Sequence, residues 1–106
     1  MNQTLTKTGI YFAVIRTAAK YFKVSIQSIM DTEVGNREVQ KARTLAILFT
    51  RQYCKDFTVY DIGNLFSRDY SSVLAACKSA NDRLVRDREF KKAHAQVDKL
   101  IKEVTY

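Results

Sequence analysis

Residues 58–76, TVYDIGNLFSRDYSSVLAA, decide the fold, because their pattern is typical of two helices joined by a very short turn. The hydroxyl of Thr58 is expected to cap the first helix, whose inner face is formed by Val59, Ile62, Leu65 and Phe66. Asp69 ends the turn at 67–69 and is expected to cap the second helix, whose inner face is formed by Val73, Ala76, Cys77, Ala80 and Leu84. The pattern predicts a helix-turn-helix over about residues 58–86.

Gly63 lies inside the first of these two helices, where glycine costs about 1 kcal/mol relative to alanine. Its missing Cβ indicates a close approach of backbone, and we expect a crossing of the second helix to provide it. The second helix begins with Tyr70, Ser71 and Ser72, which are polar and are expected to face outward.

Apolar residues at helical spacing predict further helices in the rest of the chain. The expected segments are residues 9–23, a short helix at 26–30 capped by Ser25, a long central helix at 37–55, and an amphipathic helix over about 88–104. Residues 31–36, DTEVGN, have the composition of a loop. Because the chain has no proline and no internal repeat, we expect one all-α domain over residues 1–106 with about six helices.

The charge balance favours a polyanionic partner, since 18 Lys and Arg oppose 11 Asp and Glu for a net charge of +7. Apolar runs are too short to span a membrane and no signal peptide begins the chain, so we expect a cytoplasmic protein without a membrane partner. Cys54 and Cys77 lack the spacing of a metal site and are expected to be two buried, reduced thiols.

The sequence shows no constellation typical of an enzyme. His94 is the single histidine and lies among lysines in the last helix, and three glycines at positions 9, 35 and 63 cannot form a phosphate-binding loop. Asp61 and Asp82 are expected to be plain surface charges, because no second carboxylate is placed to perturb them. We therefore expect no catalysis, no cofactor, no metal and no small-molecule substrate.

Similarity to a known family is carried by DIG at 61–63, LF at 65–66, RDYSSVL at 68–74 and Ala76, and upstream by AKYF at 19–22, REV at 37–39, AR at 42–43, Ala46 and Leu48. These runs resemble the C-terminal DNA-binding domain of the bacterial chromosomal replication initiator DnaA, a Trp-repressor-like helix-turn-helix, over about residues 10–84. The resemblance implies binding to double-stranded DNA and a role in replication initiation or its regulation. Since no Gly-x-x-x-x-Gly-Lys-Ser/Thr motif occurs, the initiator's ATPase module is not expected in this sequence.

The resemblance also implies which side chains meet the bases, because a recognition helix in the major groove presents its N-terminal residues to base edges. Here these residues are Asp69, Tyr70, Ser71 and Ser72, whereas the family pattern is Arg-Asp-His-Thr-Thr-Val after a turn one residue longer. Asp69 is expected to act as a helix cap, as an acceptor for a cytosine amino group, or as both. The two serines lack threonine methyl groups, so we expect altered base discrimination, or else a surface role without base contact.

Arg37 falls where the resemblance puts an arginine that reaches into the minor groove. A cation at a helix start opposes the helix dipole, which supports a functional role for Arg37. Arg43 also matches the family, but it lies on a mostly apolar face, where a buried structural arginine is the alternative. Phosphate contacts are expected from three cations and two hydroxyl groups, namely Arg51, Arg68, Lys78, Thr58 and Tyr60.

Two other functions remain open from the sequence alone. One is a protein-interaction module that uses the last helix or the Tyr70 face, and the other is RNA binding, which the same net charge would serve. The last helix carries an apolar stripe for which packing on its own domain is the favoured interpretation, formed by Phe90, Ala93, Val97, Leu100, Ile101 and Val104.

Overall fold

The structure is a computed structural model that describes residues 7–31 and 35–105. Within these ranges the chain forms six helices and no strand, which confirms the predicted all-α fold. The helices are α1 (Lys7–Phe22), α2 (Ile26–Met30), α3 (Arg37–Tyr53), α4 (Val59–Leu65), α5 (Tyr70–Arg86) and α6 (Arg88–Thr105). Residues 32–34 of the predicted loop lie outside the described ranges.

α3 is the central helix, since it contacts each of the other five. Its buried side chains include Leu45 and Phe49, both fully inaccessible to solvent. Every helix contributes at least one large buried side chain to the core. The large buried side chains include Ile15, Ile29, Leu45, Phe49, Ile62, Phe66, Val73, Phe90, Val97 and Ile101. One continuous apolar core therefore holds α4 and α5 against α3.

The apolar stripe of α6 packs on its own domain, as predicted, with one exception. Phe90, Ala93, Val97 and Ile101 are buried, but Leu100 is 39% exposed. Leu100 lies about 100° around the helix from Ile101, which places it at the edge of the buried face. The prediction that Leu100 belongs to the core was therefore wrong, and the side chain of Val104 lies outside the described residues.

α4 begins at a capping box. Thr58 Oγ1 accepts a hydrogen bond from the Asp61 amide at 3.1 Å, and Asp61 Oδ2 accepts one from the Thr58 amide at 2.9 Å. Asp61 is exposed, as predicted, and its carboxylate has a further role that was not predicted, because it satisfies one of the amides that a helix start leaves without a partner. The threonine-x-x-aspartate spacing was the signal available in the sequence.

α4 ends where the chain turns sharply back on itself at Ser67, which has a φ of 55°. The Arg68 amide donates to the Gly63 carbonyl at 2.7 Å, and the Ser67 amide donates to the Asn64 carbonyl at 3.4 Å. This pair of bonds is a Schellman motif, with a serine at the left-handed position that glycine usually occupies. The motif makes the turn between α4 and α5 short.

The same turn explains Gly63. A Cβ on Gly63 would lie 2.5 Å from the carbonyl oxygen of Arg68, which is a backbone atom. The predicted close approach is present, but its partner is the turn and not a crossing of α5. Gly63 is therefore required by the path of the turn.

Candidate nucleic-acid interface

The first turn of α5 forms an exposed polar tip. Tyr70, Ser71 and Ser72 all face solvent, as predicted, and Tyr70 is 44% exposed. The N-terminus of a helix carries a partial positive charge from its aligned peptide dipoles. The tip therefore combines hydroxyl groups with a helix end that favours anions.

Asp69 caps α5. Its Oδ1 accepts a hydrogen bond from the Ser72 amide at 2.8 Å. This backbone bond, followed by a bond from the Ser72 side chain, lowers the pKa of Asp69 below its usual value, so the carboxylate is ionised at neutral pH. The cap is thus present, while the contact of Asp69 with a cytosine amino group stays a prediction.

Tyr60 of α4 lies beside Tyr70 at this tip. The two ring centroids are 5.0 Å apart and the ring planes are tilted by 41°. Tyr60 is 61% exposed, so most of its ring remains in contact with solvent. The short turn thus places the two hydroxyl-bearing rings, one from each helix, on one surface.

Arg37 is the first residue of α3 and is exposed. The helix start is capped by Asn36, whose Oδ1 accepts a hydrogen bond from the Val39 amide at 2.9 Å. Arg51 is exposed in the last turn of the same helix. At 1.5 Å per residue the two arginines are about 21 Å apart along the helix axis, which is the length of about six base-pair steps.

The other predicted phosphate contacts lie on the helix-turn-helix. Lys78 is exposed on α5, two turns after Tyr70. Thr58 is exposed at the start of α4, although its hydroxyl group already accepts the capping hydrogen bond. The structure therefore leaves Lys78 accessible and gives Thr58 a structural role in addition to the predicted contact.

Arg68 is half-buried in the turn, where its guanidinium donates to carbonyl oxygens. Nη2 donates to Asp31 at 2.9 Å, and Nη1 donates to Phe66 and Ser67, each at 3.3 Å. The bond to Asp31 joins the turn to the end of α2. Arg68 therefore holds the helix-turn-helix to the segment that leads into α3, and its contact with phosphate stays a prediction.

Arg43 is a buried structural arginine, as the alternative interpretation held. It is 7% exposed, and its guanidinium donates to the carbonyls of Ile29 and Ser28, each at 2.8 Å, and of Asp31 at 3.4 Å. Burial lowers the pKa of Arg43 and the nearby Arg68 lowers it further, while Asp31 acts in the opposite direction. Arg43 and Arg68 thus converge on one carbonyl oxygen, that of Asp31.

Tyr11 of α1 contacts the end of α4, and the sequence pattern did not indicate this contact. Its hydroxyl group donates to the Leu65 carbonyl at 3.1 Å, near the end of α4, and burial raises its pKa to about 12. Its ring meets Phe66 edge-on at a centroid distance of 5.7 Å. The apolar period of the predicted helix at 9–23 includes Tyr11, but it cannot indicate a hydrogen bond to a residue 54 positions away.

Three residues outside the candidate interface, Cys54, Cys77 and His94, were also discussed from the sequence. Cys54 and Cys77 are both buried, as predicted. His94 is not simply surrounded by lysines, because its ring stacks on Phe49 at a centroid distance of 4.7 Å. Burial lowers the pKa of His94, opposed by Asp98.

The family model described as the helix-turn-helix of bacterial DnaA protein matches residues 12–79, which include all of α2, α3 and α4 and most of α5. The chain belongs to the DnaA family. The match confirms the resemblance noted in the sequence. The matched module is a DNA-binding helix-turn-helix and not a catalytic one.

Three chromosomal replication initiator proteins are similar to most of this chain. DnaA of Flavobacterium psychrophilum is 29% identical over 85 residues, which are 79% of this chain and 17% of that protein. DnaA of Bacteroides thetaiotaomicron is 29% identical over 99 residues, or 92% and 21%, and DnaA 1 of Chlamydia trachomatis is 30% identical over 101 residues, or 95% and 20%. The chain thus spans about a fifth of the length of these DnaA relatives. Among its described helices, none has the length and apolarity needed to cross a bilayer.

Proposed function

We propose that this chain binds double-stranded DNA with a preference for base sequence, in the cytoplasm, and acts in replication initiation or its regulation. The observation that carries the proposal is that the DnaA family match covers all of α4 and the first ten residues of α5. The exposed polar start of α5 agrees with it, because base edges are reached by the N-terminal residues of a recognition helix.

In the proposed complex α5 enters the major groove. Asp69, Tyr70, Ser71 and Ser72 then face base edges, and the positive end of the helix dipole faces the phosphates. Arg37 enters the adjacent minor groove, where a narrow A·T-rich segment attracts a guanidinium. The phosphate backbone is contacted by Arg51, Arg68 and Lys78 with the hydroxyl groups of Thr58 and Tyr60, and these contacts set the register without distinguishing bases.

A selection of bound duplexes from a random pool tests this assignment of the two grooves. The wild-type chain is expected to enrich a short sequence, Arg37→Ala to lose the preference at the minor-groove positions, and Tyr70→Ala to lose it at the major-groove positions. Lys99→Ala removes an exposed cation of α6, outside the proposed interface, and is the matched control. Enrichment that Arg37→Ala and Tyr70→Ala leave unchanged would contradict the assignment.

Competition experiments separate this function from RNA binding. Unlabelled duplex DNA is expected to displace the bound duplex, whereas single-stranded RNA and double-stranded RNA at the same concentration displace much less. A-form RNA has a deep, narrow major groove that a helix cannot enter, so α5 has no equivalent site there. Equal displacement by double-stranded RNA would overturn the proposal.

A further inference from the structure

α6 carries a row of cations along the side that faces solvent. Their positions lie within about 100° around the helix axis and extend over about 21 Å along it. Phe90, Val97 and Ile101, which are buried, lie on the opposite side of the helix. We refer to this row as the cationic face, and it consists of five exposed side chains, those of Arg88, Lys91, Lys92, Lys99 and Lys102.

No acidic side chain interrupts the cationic face. The acidic residues of α6 all lie outside its arc, and they are Glu89, Asp98 and Glu103. Asp98 forms an ion pair with Lys102 from the edge at 3.2 Å, and within residues 7–31 and 35–105 the other four cations form none. Arg88 and Lys92 are four residues apart, a spacing at which like charges destabilise a helix. An anionic partner would therefore relieve the repulsion along this face.

The packing of α6 on α3 sets the direction of the cationic face. His94 stacks on the Phe49 ring of α3. One helical turn later, the Tyr53 hydroxyl group donates a hydrogen bond to the Asp98 carboxylate. Phe49 and Tyr53 each lie two positions from Arg51, which places them about 160° around α3 from it. The cationic face, on the outer side of α6, is thus directed away from Arg51 and from a duplex that Arg51 contacts.

We propose that the cationic face of α6 binds the phosphate backbone of a second DNA segment without reading its bases, so that one molecule bridges two segments. This inference rests on the proposed function, because the first segment is the duplex bound by the helix-turn-helix. It adds a second surface and a second partner on the other side of α3.

The composition of the cationic face favours phosphate over other anionic partners. Ala95 is the remaining residue of the arc, so the face presents no aromatic or large apolar side chain. Protein interfaces are depleted in lysine and depend on aromatic anchors, and a helix on a lipid surface inserts its apolar side, which α6 buries in the core. Lysine binds phosphate as a point charge and does not select bases. A second segment of the same DNA molecule is also held at high local concentration, so a weak contact suffices.

The test measures loading and bridging in two separate steps. The best duplex from the random-pool selection is immobilised, loaded with the chain and washed, and a labelled duplex of scrambled sequence is then added. We expect the loaded chain to capture the labelled duplex, and capture is expressed per loaded molecule. The logarithm of its association constant is expected to fall against the logarithm of salt concentration with a slope of about −4.5, which corresponds to five phosphate contacts.

Two double variants with the same loss of charge assign the capture to α6. Lys92→Gln with Lys99→Gln is expected to lower the association constant for the labelled duplex about fivefold and to make the slope shallower by about 1.8. Arg16→Gln with Lys20→Gln is the matched control, because both residues are exposed on α1 and lie outside the cationic face. This control is expected to keep full capture. Both double variants are expected to load normally, since loading involves the first segment alone.

The outcomes separate this inference from the function on which it rests. A chain that loads on the immobilised duplex but captures no second duplex overturns the bridging and leaves the proposed function intact. The same holds if the two double variants capture equally, or if the loaded chain binds phosphatidylglycerol vesicles in preference to the second duplex. A chain that does not load at all overturns the proposed function, and the bridging with it.

Discussion

Gly63 is the residue on which the shape of the turn depends most directly. A Cβ at this position would lie 2.5 Å from the Arg68 carbonyl oxygen, and that oxygen cannot rotate away as a side chain can. Gly63→Ala is expected to lower the free energy of unfolding by about 2 kcal/mol, because overpacking outweighs the better helix propensity of alanine. Urea denaturation followed by circular dichroism measures the change.

Asn64→Ala is the matched control for Gly63→Ala. Asn64 is the neighbouring residue of α4 and its side chain is exposed, so the free energy of unfolding is expected to change by less than about 0.5 kcal/mol. If Gly63→Ala were as stable as the wild type, the turn would not need the close approach of backbone seen here.

Arg43, which is buried, and Arg68, which is half-buried, hold the short helix α2 in place. α2 has only five residues, and the guanidinium groups of Arg43 and Arg68 satisfy the carbonyls at its end. Arg43→Met is expected to cost about 3 kcal/mol of unfolding free energy, because buried acceptors lose a charged donor. Arg68→Met is expected to cost about 1 kcal/mol, since water can reach the acceptors it leaves.

Arg51→Met is the control for both arginine variants, because Arg51 is exposed in the last turn of α3. Its effect on stability is expected to stay within about 0.5 kcal/mol. Thermal unfolding of the variants side by side gives the order. If Arg43→Met were no more destabilising than Arg51→Met, the hydrogen bonds from α3 to α2 would not hold α2 in place.

The helices themselves were predictable because their signals are local. The apolar period and the capping residues Ser25, Thr58 and Asp69 lie within each segment, and the predicted bounds agree with the structure to within two residues. Ser67 was harder, because a left-handed helix end usually carries glycine. The turn could therefore be located from the sequence, but its hydrogen bonds could not.

The parts of the interface that the sequence left undecided depend on distant residues. Arg43 could have been a DNA contact or a structural residue, and its acceptors lie 12 to 15 positions away in the chain. The contact between Tyr60 and Tyr70 depends on how sharply the turn folds α5 back on α4. Periodicity describes one helix at a time, so it cannot supply such contacts.

In the proposed complex, the charge of the molecule acts on DNA binding through the cations assigned to phosphate. A net charge of +7 draws the chain to any polyanion, but only cations that contact phosphate release counterions. With the three cations assigned to phosphate, Arg51, Arg68 and Lys78, the logarithm of the association constant is expected to fall against the logarithm of salt concentration with a slope of about −2.7. Titrations of a labelled duplex over a range of salt concentrations measure this slope.

Variants of two lysines test whether binding depends on particular phosphate contacts or on net charge alone. Both lysines are exposed and both carry the same charge. Lys78→Ala removes a predicted phosphate contact on α5, so the slope is expected to become shallower by about 0.9. Lys99→Ala changes the net charge equally on α6, where the slope is expected to stay the same. Equal changes in the two variants would mean that net charge alone drives binding. A slope near zero in the wild type would mean that phosphate contacts do not contribute.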